Sequence, residues 1–191
     1  QVYFYSIHSA DSNVLLHGQW LDTAFLRVQK YDPLFNRDVF YQSTGNIGLA
    51  HQPLIFSPSL STGFDEGLHY LDAYRLRSPD IRFFSSLRPF TDLAYSMGSR
   101  KEQTFRVIHS HTIKHQVTLG AYFNIINALG HSSFRQKSDD INTYFTGHFT
   151  TRNRRYQAFA YYAYNRLKTM ENGGILVDSI YEQAREGRNI T

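Results

Sequence analysis

Cysteine is absent from this sequence, so neither a disulfide framework nor thiol chemistry can be built from it, a composition compatible with an extracytoplasmic setting. Long apolar runs are absent as well. The longest, PLIF at residues 53–56 and AFAYYAY at 158–164, fall far short of the roughly 18–20 residues that a membrane-spanning helix requires. That excludes a helical membrane protein but leaves a β-barrel open, because barrel strands place only every second side chain in lipid. Neither sign of charge dominates: 20 Lys and Arg stand among 16 Asp and Glu, for a net charge of +4. The basic residues form no stripe of the kind nucleic acid requires, so nucleic-acid binding is not expected. Strand-like VYFY begins at residue 2 with no leader-like segment before it, so any targeting segment is expected to have been removed or left out.

Motifs for chemistry are also missing. GNIGLA at residues 45–50 lacks the third glycine and the following helix of a dinucleotide fingerprint. The acidic pairs Asp65–Glu66 and Asp139–Asp140 lack the spacing of a calcium loop. No serine sits in a nucleophile-elbow context. His109, His111 and His115 invite a metal reading, since residues two apart on a strand share a face, but no nearby carboxylate or cysteine completes a zinc set. Interfacial histidines at a strand end are the expectation. No enzymatic activity, cofactor or metal is expected.

What the sequence holds in quantity is aromatic: 15 Phe, 14 Tyr and 1 Trp. From about residue 80 onward these fall into a period of two, which is the strand period. In DIRFFSSLR, Ile81, Phe83, Ser85 and Leu87 share one face, opposite Arg82, Phe84 and Ser86. Leu93, Tyr95 and Met97 oppose Asp92, Ala94 and Ser96; Val117, Leu119, Ala121, Phe123 and Ile125 oppose Thr118, Gly120, Tyr122 and Asn124. Ile141, Thr143, Phe145, Gly147 and Phe149 oppose Asn142, Tyr144, Thr146 and His148. Long strands are expected at residues 103–112, 116–126, 140–150 and 155–167, nearer the ~9–11 residues of a membrane strand than the five or six of a soluble one. Tight turns at residues 113–115 and 151–154 belong to one end of the sheet. The long polar stretches at 127–139 and beyond 168 belong to the other, which is the outer-membrane pattern. Residues 98–102 make a short loop on that outer side.

The first 70 residues differ, being rich in Gly, Pro, Asn and Asp, which are turn signals. Short strands are expected at residues 24–30 and 39–43, within a turn-rich part of a single barrel portion. That portion runs from 1 to 191, with long membrane strands from 71 to 167 and a long surface loop from 168 to 191.

The run DTAFLRVQKYDPLFNRDVFYQSTGNIGLAHQPLIF, with GFDEG at 63–67, RPFTDLAYSMGSRKEQTFRVIHSH at 88–111, RRYQAFAYYAYNRL at 154–167 and ENGGI at 171–175, resembles the "putative porin" family of outer-membrane barrels from Bacteroidetes. The resemblance spans about residues 22–175. Members of that family are longer than this sequence, so the resemblance implies the amino-terminal portion of a larger antiparallel transmembrane β-barrel in the outer membrane of a Gram-negative bacterium. It implies no catalytic residues and no particular solute.

Two functions follow as expectations: a passive channel for small hydrophilic solutes, or a non-conducting barrel that anchors surface lipoproteins or secretion machinery. Outer-membrane lipid is the expected partner, with other outer-membrane or lipoprotein chains in the second case. Alternation assigns Arg82, Asp92, Ser96, Arg106, Thr118, Asn124, Asn142 and His148 to the lumen. It assigns Leu93, Tyr95, Val117, Leu119, Phe123, Ile141, Phe145 and Phe149 to lipid. Arg75, Arg77, Arg82, Arg88 and Arg106 form a basic series that reads either as an anion-attracting ladder or as solvated charge paired with acids such as Asp92. Arginine at Phe145 is expected to cost about 2–4 kcal/mol, and at Thr146 much less. The sheet is expected to have a free edge at residues 155–167, completed by chain outside these 191 residues, because unpaired backbone cannot persist in hydrocarbon.

Overall fold

The computed structural model describes residues 2–6, 19–20, 31–36, 40–56, 67, 69–86, 88–130, 136–153 and 155–170. The protein is all-β with antiparallel sheets. Five strands form its main sheet: β6 (Phe90–Met97), β7 (Gln103–Ile113), β8 (Val117–Ala128), β9 (Lys137–Thr150) and β10 (Gln157–Met170). They pair in simple sequence order, β10-β9-β8-β7-β6, each antiparallel to the next. Aromatic and β-branched residues fit the pleated surface of such strands, and between β6 and β10 the three inner strands are paired on both sides. Among the described residues nothing pairs with the outer edge of β6 or of β10, so the sheet is not closed into a barrel.

The Thr150 amide donates to Gln116 O at 2.8 Å, which brings the β7–β8 and β9–β10 turns to one end. The β7–β8 turn is tight because Lys114 and His115 both take positive φ, 48° and 55°. At the other end the β8–β9 connection is shorter than its polar composition suggests. The ladder runs on through Asn127↔Asp139 and Ala128↔Ser138, so the expected loop at 127–139 shrinks at both ends. Burial explains this: Ala128 and Ser138 lie under other chain and are withdrawn from solvent.

That other chain is the amino-terminal part, which folds as a layer on one face of the main sheet. It contains β1 (Val2–Ser6), β2 (Gln19–Trp20) and β5 (Arg82–Ser86) in a three-stranded sheet ordered β2-β1-β5. A hairpin of β3 (Tyr41–Ser43) and β4 (His51–Pro53) lies beside it in sequence. Long strands therefore begin at Phe90 and not near residue 71, because β5 pairs with β1 and never joins the main sheet. The expected strand at 39–43 is present as β3, and that at 24–30 lies outside the described residues. Pro33 opens a 3-10 turn at Pro33–Asn36, and Pro53 ends β4, a place where a missing amide costs no ladder bond.

Two apolar clusters join layer to sheet. Leu34, Ile47, Ala73 and Tyr74 pack with Ile126 and Ala128 of β8; Tyr5, Ile81 and Phe83 pack with Tyr144 of β9 and Phe159 of β10. In β5 the alternation read from sequence does not separate buried from exposed. Phe83 meets Tyr5 and Phe159, while Phe84 on the opposite side meets Phe4 and Phe90.

Gly48 shows how closely the layer is pressed. Its φ is +83°, and a Cβ there would lie 2.8 Å from Ser138 Cβ on β9. Gly67 has a similar φ of +71° with nothing within 4 Å. Alanine at either site incurs the left-handed backbone penalty of roughly 1–2 kcal/mol. Gly48→Ala should therefore lose more stability than Gly67→Ala by at least about 1 kcal/mol, the added cost of the clash. Urea unfolding of the two variants checks this, and equal losses would refute the close contact.

Asp32 anchors another part of the layer. Its Oδ1 accepts from the Leu34 amide at 2.9 Å and the Tyr74 hydroxyl at 3.4 Å. Burial lifts its carboxyl above the ordinary carboxylate range, and those two bonds only partly offset the shift. A carboxyl raised on folding contributes stability at low pH and loses it as the pH climbs through the raised value. Asp32→Asn keeps an acceptor and has no proton to lose. It should stabilise the protein near neutral pH, with the gain fading toward about pH 3 where the native acid is protonated too. Thermal melts across that range read the effect; a pH-independent gain would contradict the burial argument.

Candidate functional site

Register sorts the main sheet into a face covered by the layer and an open face. Partners across an antiparallel ladder share a face, so the covered face can be followed row by row. One row runs Ala94, Arg106, Asn124, Asn142 and Asn165 across all five strands. The next runs Asp92, Ile108, Tyr122, Tyr144 and Ala163, with the Tyr122 and Tyr144 rings stacked at 4.7 Å. Thr112, Thr118, His148 and Phe159 make a row nearer the tight turns. The face is thus polar and aromatic, with few aliphatic side chains.

Its polar groups are engaged by main-chain groups of the layer. Asn165 forms a two-point clamp: the Leu76 amide donates to its Oδ1 at 3.0 Å, and its Nδ2 donates to Leu76 O at 3.1 Å. Asn142 Nδ2 donates to Tyr74 O at 2.9 Å, and Ser138 Oγ to Ile47 O at 2.7 Å. The Tyr5 hydroxyl lies 2.9 Å from His148 Nδ1, with Thr150 Oγ1 at 2.9 Å from Nε2. If Tyr5 donates, His148 is the tautomer that donates to Thr150. The Tyr161 hydroxyl donates to Ser78 Oγ at 3.0 Å. An irregular segment buried against a sheet must have its backbone satisfied by something, and here the sheet's side chains do it.

On β6 the covering thins. Asp92, Ala94 and Ser96 are only half buried. Arg106 Nη2 lies 3.6 Å from Asp92 Oδ2, their side chains 41% and 32% exposed. A pair this open is worth about 0–1 kcal/mol to stability, so its interest is the exposed charge it keeps on this face.

All the strand residues expected on the polar side, Asp92, Ser96, Arg106, Thr118, Asn124, Asn142 and His148, occupy the covered face. Leu93, Tyr95, Val117, Leu119, Phe123, Ile141, Phe145 and Phe149 occupy the open one. Adjacent residues mark the division: Tyr144 is 1% exposed and Phe145 55%. Arg82 stands apart, since β5 carries it on the layer, its guanidinium 4.6 Å from the Phe4 ring centroid. Arg77 is held by Asp80 at 3.6 Å. The five arginines therefore do not form one ladder. Thr146 corrects a second expectation: it is buried opposite Gly120, so arginine there has no room and is not the mild change that an open lumen would allow. Sequence reasoning missed Ser138 by assigning 127–139 to loop; the continued alternation Ser138, Asp140, Asn142 was the available signal.

The open face carries an apolar band. From Val117 to Ile125 on β8 it extends about 27 Å along the strand at ~3.4 Å per residue. Met97 aside, the row Gln103, Asn127, Asp139 and Lys168 bounds it at one end, with Arg166 held to Asp139 at 3.1 Å. His109 and His111 lie on this face toward the tight turns, His109 Nδ1 at 2.8 Å from Thr91 Oγ1. Among the described residues no three His, Asp or Glu converge as a metal site.

No curated protein and no solved structure matches the chain significantly. A family model described as putative porin matches residues 1–190. With its antiparallel sheet divided into an apolar open face and a polar covered one, the chain belongs to the putative porin family.

Proposed function

We propose that β6–β10 are part of the wall of an outer-membrane barrel, with the open face in lipid and the covered face toward the lumen, and that the barrel gives small hydrophilic solutes a passive route. The observation carrying this reading is the mainly apolar open face shared by five consecutive strands, which Thr91, His109, His111, Thr143 and Arg166 interrupt. Tilted by roughly 40°, as barrel strands are, its length projects to about 20 Å, near the ~25 Å apolar height of such barrels. The flanking Asn, Asp, Arg and Lys at one end and His at the other suit the two interfaces. Membership of the porin family supports the location and the general role. In hydrocarbon the unpaired edges of β6 and β10 must be paired by further strands, so the wall is larger than these five.

A second reading is a non-conducting barrel that anchors surface lipoproteins or secretion machinery. The amino-terminal layer favours it, because polar groups of β9 that would line a water-filled lumen are bonded to that layer, and Asn124 of β8 is buried beside them.

Two measurements test these proposals. Phe145→Arg should destabilise the vesicle-inserted protein by about 2–4 kcal/mol in urea unfolding, and Ser96→Arg by under about 1 kcal/mol. Equal effects would remove the membrane assignment of the open face. Planar-bilayer recordings of the full-length protein separate the readings: steady ohmic current supports the channel, and inserted protein without current supports the scaffold.

A further inference from the structure

The covered face is not covered evenly. Ser110 on β7 and Ser138 on β9 are both 0% exposed, and Asn142 and Thr146 are buried with them. On β6, Ser96 and Asp92 keep contact with solvent. The layer's attachments start at Tyr5 and recur at Ile47, Tyr74, Leu76 and Ser78. It is thus tied down along most of its length, and both apolar clusters cross from it into the wall. A segment held at so many separated points opens rarely as a unit, since local opening must break the contacts together.

We propose that the amino-terminal layer, comprising β1, β5 and residues 31–34, 40–56 and 69–81, is a resident plug. It seals the lumen over β8, β9 and the Ser110 end of β7, and leaves the inner face of β6, with Arg106 beside it on β7, as the wet part of the wall. The proposal rests on the barrel reading above and adds where water and solute run. That path has Asp92, Ser96 and Arg106 on the wall side. Its charge comes from an ion pair open to solvent, so the solutes it suits are hydrophilic and small enough to share the lumen with the plug. The polar side chains of β8 and β9 that resemble channel lining are then plug contacts.

Thiol accessibility tests this directly, since the 191 residues hold no cysteine. Single variants Ser96→Cys, Ser110→Cys and Ser138→Cys of the full-length protein, in a cysteine-free background, are inserted into liposomes. Each is treated with a charged, membrane-impermeant methanethiosulfonate. Ser110→Cys is nearly isosteric and sacrifices no bond, because the Ser110 hydroxyl has no hydrogen-bond partner among the described residues. Ser96→Cys should react quickly, and Ser110→Cys and Ser138→Cys at least about tenfold more slowly. Adding Asn142→Leu and Asn165→Leu, which cuts the ties to Tyr74 and Leu76, should speed the reaction of Ser138→Cys. Fast, equal modification of all three in inserted protein would overturn the plug while leaving the barrel standing, and so would a slow Ser96→Cys. Failure to insert, read by the loss of a heat-dependent shift in gel mobility, would defeat the barrel reading and the plug with it.

Discussion

Main-chain groups of an irregular segment, removed from water, must be hydrogen-bonded, and the rest of this structure depends on how that requirement is met. The residues around Tyr74 and Leu76 have no ladder of their own. Asn142 and Asn165, side by side on β9 and β10, supply the missing partners. An amide side chain carries both a donor and an acceptor, so Asn165 serves the amide and carbonyl of one residue at once. A hydrophobic wall would leave those groups orphaned at a cost of about 1–3 kcal/mol each.

The same requirement explains the composition of the covered face. A sheet that buried an ordinary core would alternate polar with aliphatic residues. Here Asn142 and Asn165, in the row with Arg106 and Asn124, are polar because they meet the layer's backbone. Aromatic residues fill the space between: the Tyr122–Tyr144 stack and the contacts of Tyr5 and Phe83 with Phe159. The result inverts a soluble fold, with the apolar row outward and the polar row inward.

That inversion makes the function of the polar residues ambiguous until their partners are seen. A wall facing water and a wall facing a packed backbone both call for Asn, Ser and Thr at every second position. Arg82 illustrates the problem further. Alternation places it on a polar face beside Arg106, yet it belongs to a different sheet, on the layer that faces the wall.

The period of two, the long strands, their order and the division into two faces were legible in the sequence, because antiparallel pairing of neighbours needs only local contacts and short turns. Val117, Leu119, Phe123, Ile141, Phe145 and Phe149 could be assigned to the open face from spacing alone, and all of them occupy it. Family membership was legible too, through runs spread along the chain. What only the tertiary structure decided is where residues 31–36, 40–56 and 69–81 go. Their irregular backbone carries no period, and their partners lie far away in sequence, Ile47 with Ser138 and Leu76 with Asn165. The extension of β9 back to Lys137 was hidden for the same reason. Ser138 reads as loop by composition, and it becomes strand because the layer buries it.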